Sequence, residues 1–313
     1  MHILMPMRPN SDPNLLHEAS ADEFYAGFMD RGWDKHHRIP GNDLNRMSGF
    51  GRISNYGSLE QLQDVLESTR SAGFPIHVTL NGNGYDDWEQ KYVLKLCEKL
   101  TDIGFSSIII GDPITIKMAC EAGYNITVST IAGVYNSDLA AYYRDMGVKR
   151  IILPRDLTLE EIESIMTKNP MDYEVFLMQN GCKYSDSSCT CNHGIDTDPT
   201  CSKLHKSNKQ YVTDGDLNTI TENNQLFENI FHKPACGLCA IYHFLKLGVK
   251  AVKIVGRANN NTENVEVAKL VRSNINIARG CKTEQEYLDQ MIRPDNLKDC
   301  NGLCCYYPDA RFR

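Results

Sequence analysis

One local arrangement recurs along the chain and restricts its fold more than any other feature. A helix-patterned stretch ends in glycine, and a short apolar strand follows at once. Gly73 precedes FPIHVTLN, Gly104 precedes FSSIIIGD, Gly123 precedes YNITVST, Gly147 precedes VKRIILPRD and Gly248 precedes VKAVKIVGR. Glycine suits a helix end because the terminating residue often takes a positive φ, where a side chain is strained. The strands are rich in Ile and Val and apolar on both faces, which marks a parallel sheet covered by helices. With ILMPM near the start, EFYAGF at 23–28 and YEVFLM at 173–178, the pattern predicts about eight strands. SLEQLQDVLESTRSAG and TLEEIESIMTK read as helices, with Ser58 and Thr158 placed to cap them and Gln61 and Glu161 three residues on.

Strands alternating with helices imply an α/β fold with a parallel sheet. About eight units over 313 residues favour a (β/α)8 TIM-barrel-like fold over an open doubly wound sheet. The dinucleotide-binding alternative lacks G-x-G-x-x-G after the first strand. The organisation expected is a barrel over 1–280, with a Cys-rich insertion at 179–250 between the seventh and eighth strands. A C-terminal extension, 281–313, follows. A loop as long as the insertion is usually functional. Active sites of such barrels lie at the C-terminal ends of the strands. Those ends carry Asn81, Asp112, Ser129, Thr130, Arg155, Lys253 and Arg257. The ordinary alternative is that polar residues simply begin every loop.

The chain has twelve Cys and no apolar run long enough for a membrane span. Its first residues, MHILMPMRPN, do not read as an export signal, so a reducing, cytoplasmic location is expected. Disulfides then explain the cysteines poorly. Cys97 and Cys120 sit alone in helical sequence. Cys182, Cys189, Cys191, Cys201, Cys236 and Cys239 crowd into the insertion, while Cys281, Cys300, Cys304 and Cys305 fall near the end. Such crowding points first to a metal or a metal cluster. A zinc ribbon needs two C-x2-C knuckles, and only Cys236–Cys239 fits one. The radical-SAM spacing C-x3-C-x2-C is absent. A redox pair at Cys236–Cys239, or plain thiols, remain as alternatives. The C-terminal C-x3-C-C spacing is unspecific and favours ordinary thiols.

Several blocks, in order, resemble the U32 family, whose members carry an older label of peptidase. ADEFYAGF resembles its early strand, and IHVTLN its second block. IIIGDP, ITVST and VYN resemble its middle blocks, and ILPRDLTLEEI is close to its arginine-bearing strand and helix. EVFLMQNGC, with a Cys seven residues on, and GVKAVKIVGR complete the series, which runs from about residue 20 to 280. The resemblance implies a [4Fe–4S] cluster on four Cys. Position by position these are Cys182, Cys189, Cys201 and Cys236, with Cys191 and Cys239 as rivals for the last two places. The family's His before the first Cys is missing, its Glu in the last block is Val255, and its third-Cys surroundings are truncated. These departures bear on the substrate more than on the cluster.

The resemblance further implies oxygen-independent hydroxylation, as in tRNA uridine hydroxylases and paired proteins acting on the ubiquinone ring. Prephenate is the implied oxygen donor. A dicarboxylate asks for cationic clamps, and Arg155, Lys253 and Arg257 lie at strand ends of one rim. Asn81, Ser129, Thr130 and Asn136 are candidates to hydrogen-bond donor or acceptor. The plainer account pairs Arg155 with Glu160 or Glu161, and Lys253 and Arg257 with acids such as Glu263. The acceptor is RNA, a quinone-like molecule or a peptide, and a homodimer or a paired U32 protein is a candidate partner. A peptidase with a structural cluster and a non-catalytic subunit are the alternatives. No H-E-x-x-H or G-x-S-x-G supports the peptidase. A net charge of −7 argues against broad nucleic-acid coating, although Lys203, His205, Lys206 and Lys209 form a small basic stretch. Tyr306, Tyr307 and Phe312 read as a packing tail or as a base-stacking surface.

Overall fold

The computed structural model describes residues 1–36, 44–69, 73–182, 185–189, 235–294 and 305–311. Among these, the nine strands are β1 (His2–Met7), β2 (Glu23–Phe28), β3 (Asn55–Tyr56), β4 (Ile76–Leu80), β5 (Ser107–Ile110), β6 (Ile126–Val128), β7 (Arg150–Ile152), β8 (Asp172–Met178) and β9 (Ala251–Ile254). All pair in parallel. The short β3 pairs only with the end of β2. The other eight run β1-β9-β8-β7-β6-β5-β4-β2, and pairing of β1 with β2 closes the ring. This is the (β/α)8 barrel expected from the repeat, and its strands are those the apolar pattern marked.

The helices are α1 (Pro13–Glu18), α2 (Arg31–His36), α3 (Leu59–Thr69), α4 (Asp87–Ile103), α5 (Pro113–Glu121), α6 (Ser137–Asp145), α7 (Leu159–Lys168), α8 (Ile241–Leu247), α9 (Asn261–Gly280) and α10 (Glu284–Gln290). The glycines that announced the strands, Gly73, Gly104, Gly123, Gly147 and Gly248, all have positive φ. At Gly104, φ is 110° and its amide bonds back to Leu100, so helix α4 stops and the chain can turn into β5. Thr158 and Glu161 close a reciprocal cap on α7. At α3, Gln61 instead reaches the amide of Gly57, one residue earlier than a capping box requires. None of the described helices is long and apolar enough to cross a membrane.

The barrel interior is not uniformly apolar. At its N-terminal end Glu23 accepts hydrogen bonds from Arg150 at 2.5 Å and pairs with His2 at 2.5 Å and His77 at 3.1 Å. His77 also bonds Ser107 at 2.7 Å, and Ser107 bonds Thr127 at 3.0 Å. One layer up, Lys253 donates to Glu174 at 2.7 Å and lies 4.0 Å from the centre of the Tyr25 ring. Parallel strands bring these residues together because every second side chain of each points inward. Two carboxylates, Glu23 and Glu174, thus face Arg150 and Lys253 inside the ring.

The described part of the extension folds back onto the barrel. Tyr306 donates its hydroxyl to Gln179 and Tyr307 to Phe176, each at 2.6 Å. Cys305 forms a parallel bridge to Cys236, which in turn bridges Met178. Most of the insertion lies outside the described residues, including Cys191, Cys201 and the basic stretch Lys203, His205, Lys206 and Lys209. Cys300, Cys304 and Phe312 lie outside them too.

Burial alone would raise the Glu23 carboxyl, but hydrogen bonds from His77 and Arg150 and their charges hold it well below the usual carboxylate range. A depressed carboxylate contributes stability that is present above its unfolded value and is lost as pH falls toward the folded one. Glu23→Gln should therefore lower urea stability at pH 7 by about 3 kcal/mol, the cost of leaving a buried partner uncompensated. The gap to the wild type should shrink below about pH 4.5, the ordinary carboxyl value. Urea titrations at stepped pH measure both.

Candidate functional site

The C-terminal mouth of the barrel is where β8 hands the chain to the cysteine loop. The turn is made by Gln179 and Asn180, both non-glycine residues at positive φ, 66° and 41°. Such backbone is sparsely populated and persists only when the surroundings hold it. Here they do. Gln179 donates its amide to Ala235 and accepts from the Tyr306 hydroxyl. Its side chain bonds Glu263 at 3.0 Å and Asn259 at 3.2 Å. The carbonyl of Asn180 accepts from Arg155 at 3.1 Å. Gly181 follows, where an added Cβ would stand 2.2 Å from that of Ala235. Cys182 comes next.

The loop is then pinned by Asp186, which is 2% exposed. Arg155 donates to one carboxylate oxygen and Arg46 to the other, each at 2.8 Å. Thr130 adds a hydroxyl at 3.2 Å. Burial works against the Asp186 charge, yet the guanidiniums of Arg155 and Arg46 hold its carboxyl below the ordinary range. Burial likewise opposes the charge of Arg155, and Asp186 overrides it, so this arginine stays protonated. The Arg155 guanidinium also lies 4.3 Å from the centre of the Phe176 ring. A second tether joins Tyr135, Asp156 and Ser185 through hydrogen bonds. Gly133 allows the loop to come this close, because a Cβ there would meet that of Ser187 at 2.8 Å.

Cys182 and Cys236 lie beside this turn, Cys182 following it in sequence and Cys236 following Ala235, which bonds Gln179. Cys182 adds to the electrostatic environment of both Arg155 and Tyr306, and Cys236 and Cys239 to that of Tyr287. Tyr306 donates its amide to the Cys236 carbonyl at 2.9 Å. The Cys236 segment is thereby bridged on one side to Met178 and on the other to Cys305. Among the described residues no three His, Cys, Asp or Glu side chains converge as a metal site. Cys201 and its rival Cys191 fall outside that set. The donors gathered around the mouth are thiols, the ligand type of iron–sulfur clusters.

The strand-end residues take distinct positions. Asn81 donates to Ser129 at 3.2 Å, while its own side-chain oxygen is buried with no hydrogen-bond partner. Ser129 and Thr130 are buried, and Thr130 serves Asp186. Asn136 caps α6 from an exposed position. Asp112 caps α5 and is nearly buried. Arg155 pairs with Asp186, while Glu161 closes the cap of α7 and Glu263 is held by Gln179. Lys253 sits beneath the mouth on Glu174 rather than on the rim. Arg257 is 5% exposed and, among the described residues, bonds neutral groups, Thr79 at 2.8 Å and Asn55 and Asn45 at 3.4 Å. Sequence reasoning missed Arg46, Asn45, Asn55, Gln179 and Asp186. Only Gln179 had a local signal, the Asn-Gly turn pair just after it. The others act through contacts far along the chain.

The sequence pattern of peptidase family U32 matches residues 16–310, which spans barrel, cysteine loop and C-terminal segment. The tRNA hydroxylation protein P1 of Bacillus subtilis (strain 168) is 23% identical over 256 residues, covering 78% of this chain and 59% of that protein. The 23S rRNA 5-hydroxycytidine C2501 synthase of Escherichia coli (strain K12) is 25% identical over 146 residues, covering 46% and 22%. The chain spans less than two thirds of the length of the curated relatives it matches. Among solved structures, DHDPS from Cyanidioschyzon merolae superposes with a TM-score of 0.50 at 8% identity, over 92% of this chain and 78% of that one. That likeness concerns the barrel fold alone.

Asp186→Asn removes the charge that Arg46 and Arg155, each with its side chain 10% exposed, share. Breaking such a set costs about 3 kcal/mol. The loss should appear locally as faster amide exchange over 180–189, with the barrel strands keeping their protection. Hydrogen-exchange mass spectrometry of the wild type and variant measures it.

Proposed function

The chain belongs to peptidase family U32, and from that premise we propose that it is an enzyme hydroxylating a base of RNA without molecular oxygen. The relatives named for tRNA hydroxylation and for 5-hydroxycytidine synthesis in rRNA support the RNA acceptor. The observation that carries the reading is the cysteine loop bound over the barrel mouth by the buried Arg46–Asp186–Arg155 set. A loop held that firmly keeps its thiols at the face where such barrels do their chemistry. The same reading takes Cys182, Cys189, Cys201 and Cys236 as ligands of a [4Fe–4S] cluster, with Cys191 and Cys239 as alternates. When bound, such a cluster supplies one-electron chemistry or polarises an oxygen ligand at an open position.

The rest is work for the chain itself. Asn81 and Ser129 sit at the ends of β4 and β6 and offer hydrogen bonds to a molecule entering the mouth. Arg155 and Thr130 act through Asp186, by fixing the loop. Lys253 balances Glu174 inside the ring, and Asn136 holds the start of α6. Prephenate, the oxygen donor implied by the family resemblance, is the proposed co-substrate. A second copy or a paired U32 protein is the proposed partner.

Anaerobic purification of the full chain should yield a brown protein with about four irons, as a [4Fe–4S] cluster requires. Cys182→Ser should lose most of the colour. RNA from cells lacking the gene should lack a hydroxylated nucleoside that the wild-type chain restores and the Cys182→Ser chain does not. A colourless protein holding stoichiometric zinc, or an unchanged nucleoside profile, overturns the reading.

A further inference from the structure

We propose that the turn Ser48–Ile53, on the rim of the barrel mouth, is a wedge for RNA whose Phe50 and Ile53 enter the base stack where the target nucleotide has been turned out. The inference rests on the reading of the protein as an RNA-base hydroxylase and adds how the base reaches the mouth. A stacked or paired base offers little of its ring to an active site, so enzymes acting on bases take the target out of its stack. The vacated place costs stacking energy, and apolar side chains inserted between base steps hold a stack open. Such side chains must be exposed, lie beside the reaction site and stand on backbone that does not yield.

Both are exposed, Ile53 to 61% and Phe50 to 36%. Six large apolar side chains are exposed among the described residues, and only these two share a turn. Two side chains are too small a face for a stable protein interface, which buries on the order of 1,200 Å² or more. A single base step asks for no more than that. Charge favours the same partner. From 44 to 58 the sequence has two arginines and no Asp or Glu, in a chain of net charge −7. Arg52 stands between the two apolar residues and is exposed, where it can meet a phosphate.

The turn lies on the face where the chemistry is placed. β3 pairs with the end of β2, so the chain between them leaves and returns at the C-terminal mouth. Arg46, two residues before the turn, is one of the arginines holding the cysteine loop. The root of the turn is clamped. Asn45 donates to the Phe28 carbonyl at 2.7 Å, and its side-chain oxygen accepts the Met47 amide at 2.9 Å. Asn55 donates to the carbonyls of Met47 and Gly51, each at 2.9 Å. The Ser48 hydroxyl donates to the Asn45 carbonyl at 2.6 Å. Gly51, at φ 53° and ψ −140°, divides the turn in two between the apolar residues. An added Cβ there would meet nothing within 4 Å, so the kink stands clear of its surroundings. A fixed root with an exposed apolar tip is what insertion into a stack requires.

Total RNA from cells lacking the gene is the probe, with the anaerobically purified full chain. Ultraviolet cross-linking followed by tryptic mapping should place a nucleotide adduct on peptide 47–52, which carries Phe50. In filter binding, Phe50→Ala should weaken RNA affinity about five- to hundredfold, the range for one base stacked on an aromatic ring. Ile53→Ala should weaken it too, and Phe50→Trp should keep it. Arg52→Gln should lower the slope of log affinity against log salt by about one. Phe50→Ala should unfold at the wild-type temperature, because a substitution at an exposed side chain changes stability little. A large fall makes the ring structural and overturns the wedge. So does equal RNA affinity in the Phe50→Ala, Ile53→Ala double variant, an adduct found only elsewhere, or a wild type that binds no RNA. A wild-type dimer that the double variant breaks without change in RNA affinity overturns it as well, since the turn then serves a second copy. If the double variant binds and modifies RNA normally, the hydroxylase reading stands and the wedge alone falls. Wedge-dependent RNA binding with no nucleoside changed supports the wedge and removes the hydroxylation.

Discussion

One carboxylate, Asp186, joins the part of this protein that is regular to the part that is not. It lies in the cysteine loop, yet its partners belong to the barrel, Arg155 just after β7 and Arg46 in the segment before β3. A long loop has little to hold it by hydrophobic burial, so a buried ion set is an economical anchor. The geometry is demanding, since both oxygens of Asp186 are used and Thr130 adds a third donor. The strained backbone at Gln179 and Asn180 is held in that setting, because Arg155 donates both to Asp186 and to the Asn180 carbonyl. Loop, turn and mouth are therefore one mechanical unit.

Charge within the barrel is distributed by depth. Toward the N-terminal ends of the strands, Glu23 and Glu174 are matched by Arg150 and Lys253, and the histidines His2 and His77 complete the network. Such matching serves closure of the ring, because each charge is desolvated and must find its partner there. Toward the C-terminal ends the matching stops. Two arginines share one aspartate, and among the described residues Arg257 bonds neutral groups, Thr79, Asn55 and Asn45.

The regular half of this architecture was legible because it is written locally. A glycine after a helix, a run of Ile and Val, and Thr158 three residues before Glu161 each report their own neighbourhood. The strand-end residues were legible for the same reason, since the position of a strand fixes where it ends. What they touch was not. Lys253 stands at the end of β9 but points inward to Glu174, a partner 79 residues away on β8. Arg155 has Glu160 and Glu161 close in sequence, yet its acid is Asp186, 31 residues on. Asn45 and Asn55 carry no motif, and their role appears only when Gly27, Thr79 and Arg257 are brought beside them by pairing of β2, β3 and β4.

The C-terminal segment is the plainest case of sequence distance misleading about spatial role. Cys305, Tyr306 and Tyr307 lie far beyond the last barrel strand, and their spacing has no recognisable pattern. In the folded chain Cys305 bridges Cys236, and the hydroxyls of Tyr306 and Tyr307 cap carbonyls of Gln179 and Phe176. Gly237 admits the Tyr307 ring, which an added Cβ would meet at 2.9 Å. Three buried groups thus depend on a segment that could have been taken for a tail. Since those carbonyls belong to the strand and turn that present Cys182, the end of the chain supports the start of the cysteine loop. The aromatic residues there are accounted for by burial and hydrogen bonding, which leaves no exposed face of Tyr306 or Tyr307 for stacking on a base.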